Sequence, residues 1–286
     1  MILKSIALVV GLAVLSGPAT AQVTEAPQRS TPEERDRVRP LFEAAGLPEL
    51  LDVIRKEGLT HAEDLKEELF PDRGEATWPA FVSAAYDVDR MAAILLDNLA
   101  AEFEPWHVDP LMDFFTSDLG ERIVRLEVSA RVALLEPSVE DAAKDILSAM
   151  RSTGDARLGV LEDFVAANDL LEMNVASSLN ANYAFYSGLA GAGVMDHFPG
   201  EGEMVQEVWR QEPEIRAETE EWLFAFLAMA FQPLSDEEIN TYSELSLSEA
   251  GRRFNRKLFS AFDELFQTVS YDLGLAAGRF LDGEDL

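Results

Sequence analysis

A hydroxyl, an acid and a guanidinium recur at one fixed spacing in two places along this chain. Ser117-Asp118-Leu119-Gly120-Glu121-Arg122-Ile123 returns as Ser248-Glu249-Ala250-Gly251-Arg252-Arg253-Phe254. Each Ser stands where a helix is expected to begin, with an acid in the first turn, so free backbone donors are satisfied and the positive end of the helix dipole is matched. A hydroxyl, N-terminal amides and the guanidinium of Arg122 or Arg253 could converge on a carboxylate, which would make a small anion site. The same residues also suit a structural joint, in which Ser caps, Gly packs and Arg ties its helix to a carboxylate of its own half. Gly120 and Gly251 fall at the third helical position, where Gly costs up to about 1 kcal/mol relative to Ala. Close approach of another helix is the expected compensation. Duplication favours the joint, because each half then needs its own copy to fold.

Other candidate chemistry is thin. His61, His107 and His197 are the three histidines, and none has a His-x-x-x-His spacing or lies near a Gly-x-Ser-x-Gly turn. His107, between Trp106 and Asp109, is expected at the surface in a polar bend. With no Cys, thiol chemistry and soft-metal sites are excluded. Asp87 with Asp89, Glu201 with Glu203, and Glu218 with Glu220 and Glu221 could offer oxygen ligands to calcium or magnesium. None follows a twelve-residue calcium loop, and solvated helix faces are the expectation, so no metal site and no cofactor is assigned. A carboxylate pair for hydrolysis stays open, since a separation in space defines it. The stretch Asn180 to Gly193 brings Tyr183, Phe185 and Tyr186 beside clustered glycines. It could line a groove for a peptide or small apolar ligand; a helix end packed on the core, stopped by the glycines, is the leading reading.

The elements that carry these residues read as helices throughout. Strand-like alternation is almost absent. Thr31-Pro32-Glu33-Glu34 and Ser235-Asp236-Glu237-Glu238 are capping boxes. Phe254, Leu258, Phe259, Phe262, Leu265, Phe266, Val269 and Leu273 step by three and four along the last helix and share one face. A second stripe, Phe81, Ala84, Val88, Met91, Leu95 and Leu99, predicts one helix from Thr77 to Phe103. Helices are also expected over 138–150, 158–167, 170–189 and 214–231. The register of the motif continues through Arg125 with Arg256 and Ser129-Ala130 with Ser260-Ala261, and upstream Phe103 and Pro105 are echoed by Phe231 and Pro233. The expected fold is therefore all-α, with two related helical units, 31–153 and 154–286, packed as a multi-helix bundle by internal duplication.

Residues 1–21 carry one positive charge at Lys4, an apolar run from Ile6 to Leu15 and a small-residue exit at Ala19-Thr20-Ala21, the pattern of a cleaved signal peptide. Residues 22–30 read as a disordered lead. Cleavage near Ala21/Gln22 leaves 265 residues; it removes Lys4 and no acid, so 22 basic face 53 acidic side chains, a formal net charge of −31. Such a field repels nucleic acid and anionic lipid, and cations or basic proteins remain as partners. A periplasmic or secreted protein with no membrane span after signal removal is expected.

The stretches Asp109 to Leu135 and Ser235 to Leu265, with Phe114 or Phe115 and Tyr242 ahead of Ser-x-x-Gly-x-Arg, resemble the bacterial exported family known as domain of unknown function 2059. The resemblance covers about a quarter of the chain; it implies export and a helical fold and supplies no catalytic residue. The expected role is non-enzymatic, binding or stabilising an envelope protein partner through a helical groove or acidic face. A carboxylate-based hydrolase and a divalent-cation-binding protein are the alternatives.

Overall fold

The computed structural model describes residues 30–74, 77–101, 103, 105–193 and 200–283. The expected signal peptide, most of the expected lead, and His197 lie outside the described residues. Among those described, the regular structure is α-helix and no strand occurs.

Local chemistry sets the first helices. Thr31 starts α1 (Pro32–Ala44) with the expected capping box: Glu34 N–H donates to Thr31 Oγ1 at 3.3 Å, and Thr31 N–H donates to Glu34 Oε2 at 2.7 Å. Gly46, at φ 68°, turns the chain into α2 (Leu47–Leu69). The stripe expected to be one helix from Thr77 is two, α3 (Trp78–Ala85) and α4 (Val88–Ala100). Asp87 caps α4 by accepting from Arg90 N–H at 2.8 Å, and Arg55 Nη1 donates to the carbonyls of Ser83 and Tyr86 at 3.0 and 2.6 Å. The stripe holds in α4, where Met91, Leu95 and Leu99 are buried, but in α3 the core face is Trp78, Val82 and Ala85, with Phe81 half-buried and Ala84 exposed, one step out of the expected phase.

After α5 (Pro105–Phe115), Ser117 opens α6 (Asp118–Ala133). Then come α7 (Pro137–Thr153), α8 (Arg157–Ala167), α9 (Leu170–Gly191), α10 (Glu201–Arg210) and α11 (Glu212–Ala230). Ser235 caps α12 (Asp236–Leu247) with the second expected capping box, and Ser248 opens α13 (Glu249–Leu281). No described helix is long and apolar enough to cross a membrane.

All eight residues of the expected α13 face are buried. Each such Phe or Leu side chain contributes on the order of 2 kcal/mol on burial. α13 packs most extensively against α9, whose buried residues include the polar Asn174, Ser178 and Asn182 as well as Val175, Phe185 and Leu189. Two apolar clusters result. One joins α1 to α5 with α9 and α13 around Leu41, Trp78, Leu95, Phe103 and Phe262; the other joins α6, α7, α8, α11 and α12 around Leu161, Phe164, Leu223, Phe231 and Tyr242. Each cluster draws residues from both sides of the 153/154 boundary, so packing interleaves the two halves.

Candidate functional site

The two motif copies have the same local geometry. Ser117 Oγ accepts from Gly120 N–H at 3.1 Å and Ser248 Oγ accepts from Gly251 N–H at 3.0 Å. Ser117 N–H donates to the Phe114 carbonyl at 2.9 Å, and Ser248 N–H to the Leu245 carbonyl at 3.0 Å. A Cβ on Gly120 would stand 2.0 Å from that Phe114 oxygen, and one on Gly251 2.0 Å from the Leu245 oxygen. The close approach expected at these glycines is thus made by the last turn of the preceding helix. Phe114 and Leu245, equivalent in the motif, both pack against both apolar clusters.

The guanidinium behaves differently from expectation. Arg122 Nη2 pairs with Glu238 Oε1, in the other half of the chain. Glu238 is the capping-box acid of α12, and its pKa is lowered first by the Ser235 N–H bond and then by Arg122. Phe114 stacks on Tyr242 at 5.4 Å between centroids, and Phe115 meets Phe254 edge-on at 5.8 Å. The two joints therefore face each other, and Arg122 stitches them across the halves because its reach at the start of α6 ends on the start of α12. Arg253, part-buried on α13, holds the equivalent position. With each Gly amide taken by a Ser hydroxyl and Arg122 matched by Glu238, the first motif forms a joint, with no opening for an anion. Both partners of the Arg122–Glu238 pair are substantially exposed, so Arg122→Ala is expected to cost little, which a denaturant titration would register as a small midpoint shift.

Three other sequence candidates change character. His107 is 2% exposed on α5, its ring beside Trp106 and edge-on to Phe103, because α5 extends through what reads as a polar bend. Phe185 and Tyr186 are buried and Tyr183 is half-buried. Gly188 does not stop α9: it lies within the helix, with the Tyr271 carbonyl 2.2 Å from where its Cβ would be. Among the described residues, no three His, Asp or Glu side chains group as a metal site.

Two features were not singled out by sequence. One is a cavity of about 40 Å³ lined by Gly46, Leu47, Phe115, Val124, Glu127, Tyr242 and Phe254. Glu127 is half-buried, but its Oε1 is sealed from solvent without a hydrogen-bond partner, and burial pushes its pKa up to about 8. Its signal was available: Glu127 occupies a step of the apolar stripe Ile123, Ala130, Leu134. Beside it, Arg131 holds Glu57 of α2 through two bonds of 2.7 and 2.8 Å and lies 4.6 Å from the centroid of the Trp222 ring. Arg131→Leu is expected to lower stability by about 2–3 kcal/mol by stranding Glu57; an unchanged urea midpoint would show that Glu57 rehydrates freely.

The second feature is a groove of about 650 Å³ between α7, α8, α9 and α11. Its apolar surface comes from Leu158, Val165, Leu171 and Phe224. Its carboxylates are Glu162, Asp169, Glu172 and Glu220, against one lining cation, Arg151. Arg151 reaches Glu220 at 3.4 Å, and Arg216 from α11 pairs with Glu172 at 2.5 Å, which lowers the Glu172 pKa. Asp169 is the one non-glycine with positive φ, 49°, among the described residues. Neither Asp169 nor Glu162 has an ion-pair partner among them. Burial, and then the charge of Glu172, raises the Asp169 pKa.

No protein-family model, curated protein or solved structure matches the chain. The groove is the larger opening of the two, and four carboxylates from three helices and a loop line it together with its apolar floor. That arrangement can receive a chain segment that is basic on one side and apolar on the other.

Proposed function

We propose that this is an exported, non-enzymatic binding protein of the cell envelope, and that its groove receives a basic, partly apolar segment of another envelope protein. The observation that carries this reading is the groove itself, with an apolar floor and with Glu162 and Asp169 lacking an ion-pair partner among the described residues. The formal net charge of −30 would steer a basic partner toward it. The duplication read from the two motifs, and the resemblance to an exported family, agree with a scaffold role and add no reaction.

A carboxylate hydrolase would centre on Glu127, the described carboxyl raised furthest toward neutrality. Its cavity, about 40 Å³, is far below the roughly 300 Å³ of a typical small-molecule site, so the binding reading is preferred.

A photo-crosslinking residue at Glu162 in intact cells, with Glu63 on the exposed face of α2 as control, tests the proposal. A stoichiometric adduct specific to position 162, mapping to a Lys- or Arg-rich peptide, is expected. Adducts equal at both positions would sink it. In vitro, the Glu162→Gln and Asp169→Asn pair is expected to weaken binding of the captured peptide about tenfold at low salt, from two ion pairs of about 0.7 kcal/mol each; an unchanged dissociation constant would remove the groove from the account.

A further inference from the structure

The contact between α2 and α6 includes an acid with one carboxyl oxygen sealed and unsatisfied. Glu127 projects from α6 into the apolar cavity, and its Oε1 is sealed without a hydrogen-bond partner. Gly46 seats the start of α2 directly on Val124: a Cβ there would lie 2.5 Å from Val124 Cγ1. A buried carboxyl can be tolerated as the neutral acid, whereas the anion demands either a cation or water.

Among the described residues, the charged and titratable neighbours give Glu127 Oε1 no hydrogen bond. On α6 itself, Arg131 is one turn away, with Nε and Nη2 engaged by Glu57 of α2. From α12 comes Tyr242, a buried phenol whose own pKa is raised by burial and by Glu127. The linings contributed by α5, α11 and α13 are Phe115, Phe226, Phe254 and Leu258, all apolar. The cavity has room for water, since about one probe sphere of 10–15 Å³ suffices for a molecule.

We propose that Glu127 is a proton-controlled latch: as the neutral acid it holds the α2–α6 seam closed, and as the anion it draws water into the cavity and parts α2 from α6. This inference is independent of the groove and its occupant. Burial places the Glu127 pKa at about 8, above the ordinary carboxylate value of 4.5, so the switch falls on the neutral to mildly alkaline side. For an acid whose folded pKa is raised, stability is fullest below the unfolded pKa. It falls as pH rises from about 4.5 to about 8 and levels off beyond.

Hydrogen exchange of the full chain at pH 6 and pH 9, corrected for the chemical exchange rate, tests the latch with Glu127→Gln alongside. In the wild type, peptides from residues 47–57 and 118–131 are expected to lose protection by up to about a hundredfold between the two pH values, since the linkage runs at about tenfold per pH unit until the midpoint near 8. Glu127→Gln should abolish that change, and α9 should be unaffected in both. Equal pH dependence in the two proteins would overturn the proposal, as would uniform loss of protection through α9 and α13, which would mean global unfolding. A carbon NMR titration of the wild-type Glu127 carboxyl needs no variant: a midpoint in the ordinary range near 4.5 would overturn it, and one near 8 would support it.

Discussion

Gly274→Ala is expected to lower the melting temperature by about 10 °C or to prevent folding, and Gly188→Ala to do nearly the same. At the crossing of α9 and α13, a Cβ on Gly274 would lie 2.1 Å from the Phe185 carbonyl oxygen. One on Gly188 would lie 2.2 Å from the Tyr271 oxygen and 2.7 Å from the Leu275 nitrogen. All three obstacles are backbone inside long helices, so no rotamer change relieves them. The helices must separate, and the buried faces of both lose contact along their length. Overpacking of this kind costs about 3–5 kcal/mol, at the upper end of single substitutions, against about 1 kcal/mol regained from alanine's helix propensity. In a domain of this size each kcal/mol moves the melting temperature by about 2–4 °C. Gly159→Ala in α8 is the control, because nothing lies within 4 Å of the new methyl. Thermal melts followed by circular dichroism decide the matter: a Gly274→Ala protein that melts with the wild type would mean that the crossing yields easily.

This crossing also shows where sequence reading stops. The face of α13 was legible residue by residue, since its eight apolar positions repeat at helical spacing and need only one partner surface. Helix starts are legible at Thr31, Ser117, Ser235 and Ser248, where a hydroxyl does the capping. Gly188 was read as a stop signal because a glycine in an apolar helix can mark either an end or a close approach, and only the location of α13 separates the two. Asp87, a possible cation ligand by sequence, is a cap; apolar residues at helical spacing on both sides of it hide the break, although the face that α3 buries is one step off the stripe. Arg122 was given a partner within its own half, but the two joints face one another, which puts Glu238 within reach. The groove was invisible for the same reason. Its carboxylates are scattered from Glu162 to Glu220 and gather only when α7, α8, α9 and α11 pack.

Alanine at Gly120 or Gly251 is the second large effect, and it bears on the duplication. Each glycine faces a carbonyl oxygen 2.0 Å from its missing Cβ, that of Phe114 or Leu245. The same carbonyl accepts the N–H of the capping serine, so moving it away also loosens the turn that starts the next helix. A cost of about 3 kcal/mol is expected at each site, beyond the roughly 1 kcal/mol that Ser117→Ala or Ser248→Ala should cost through loss of the cap alone. The two glycine variants are not independent. Phe114 and Tyr242 stack between the joints, and Leu245 packs against both clusters, so relief at one joint strains the other. The double variant should therefore depart from the sum of the singles by more than the 0.3–0.5 kcal/mol typical of separate sites. Urea titrations of the two singles and the double provide the test. Comparable single costs with a clear coupling energy fit two copies of one joint locked face to face. A severe Gly251→Ala beside a neutral Gly120→Ala would mean that the first joint relaxes freely, and that the shared Ser-x-x-Gly-x-Arg spacing no longer does the same mechanical work in both halves.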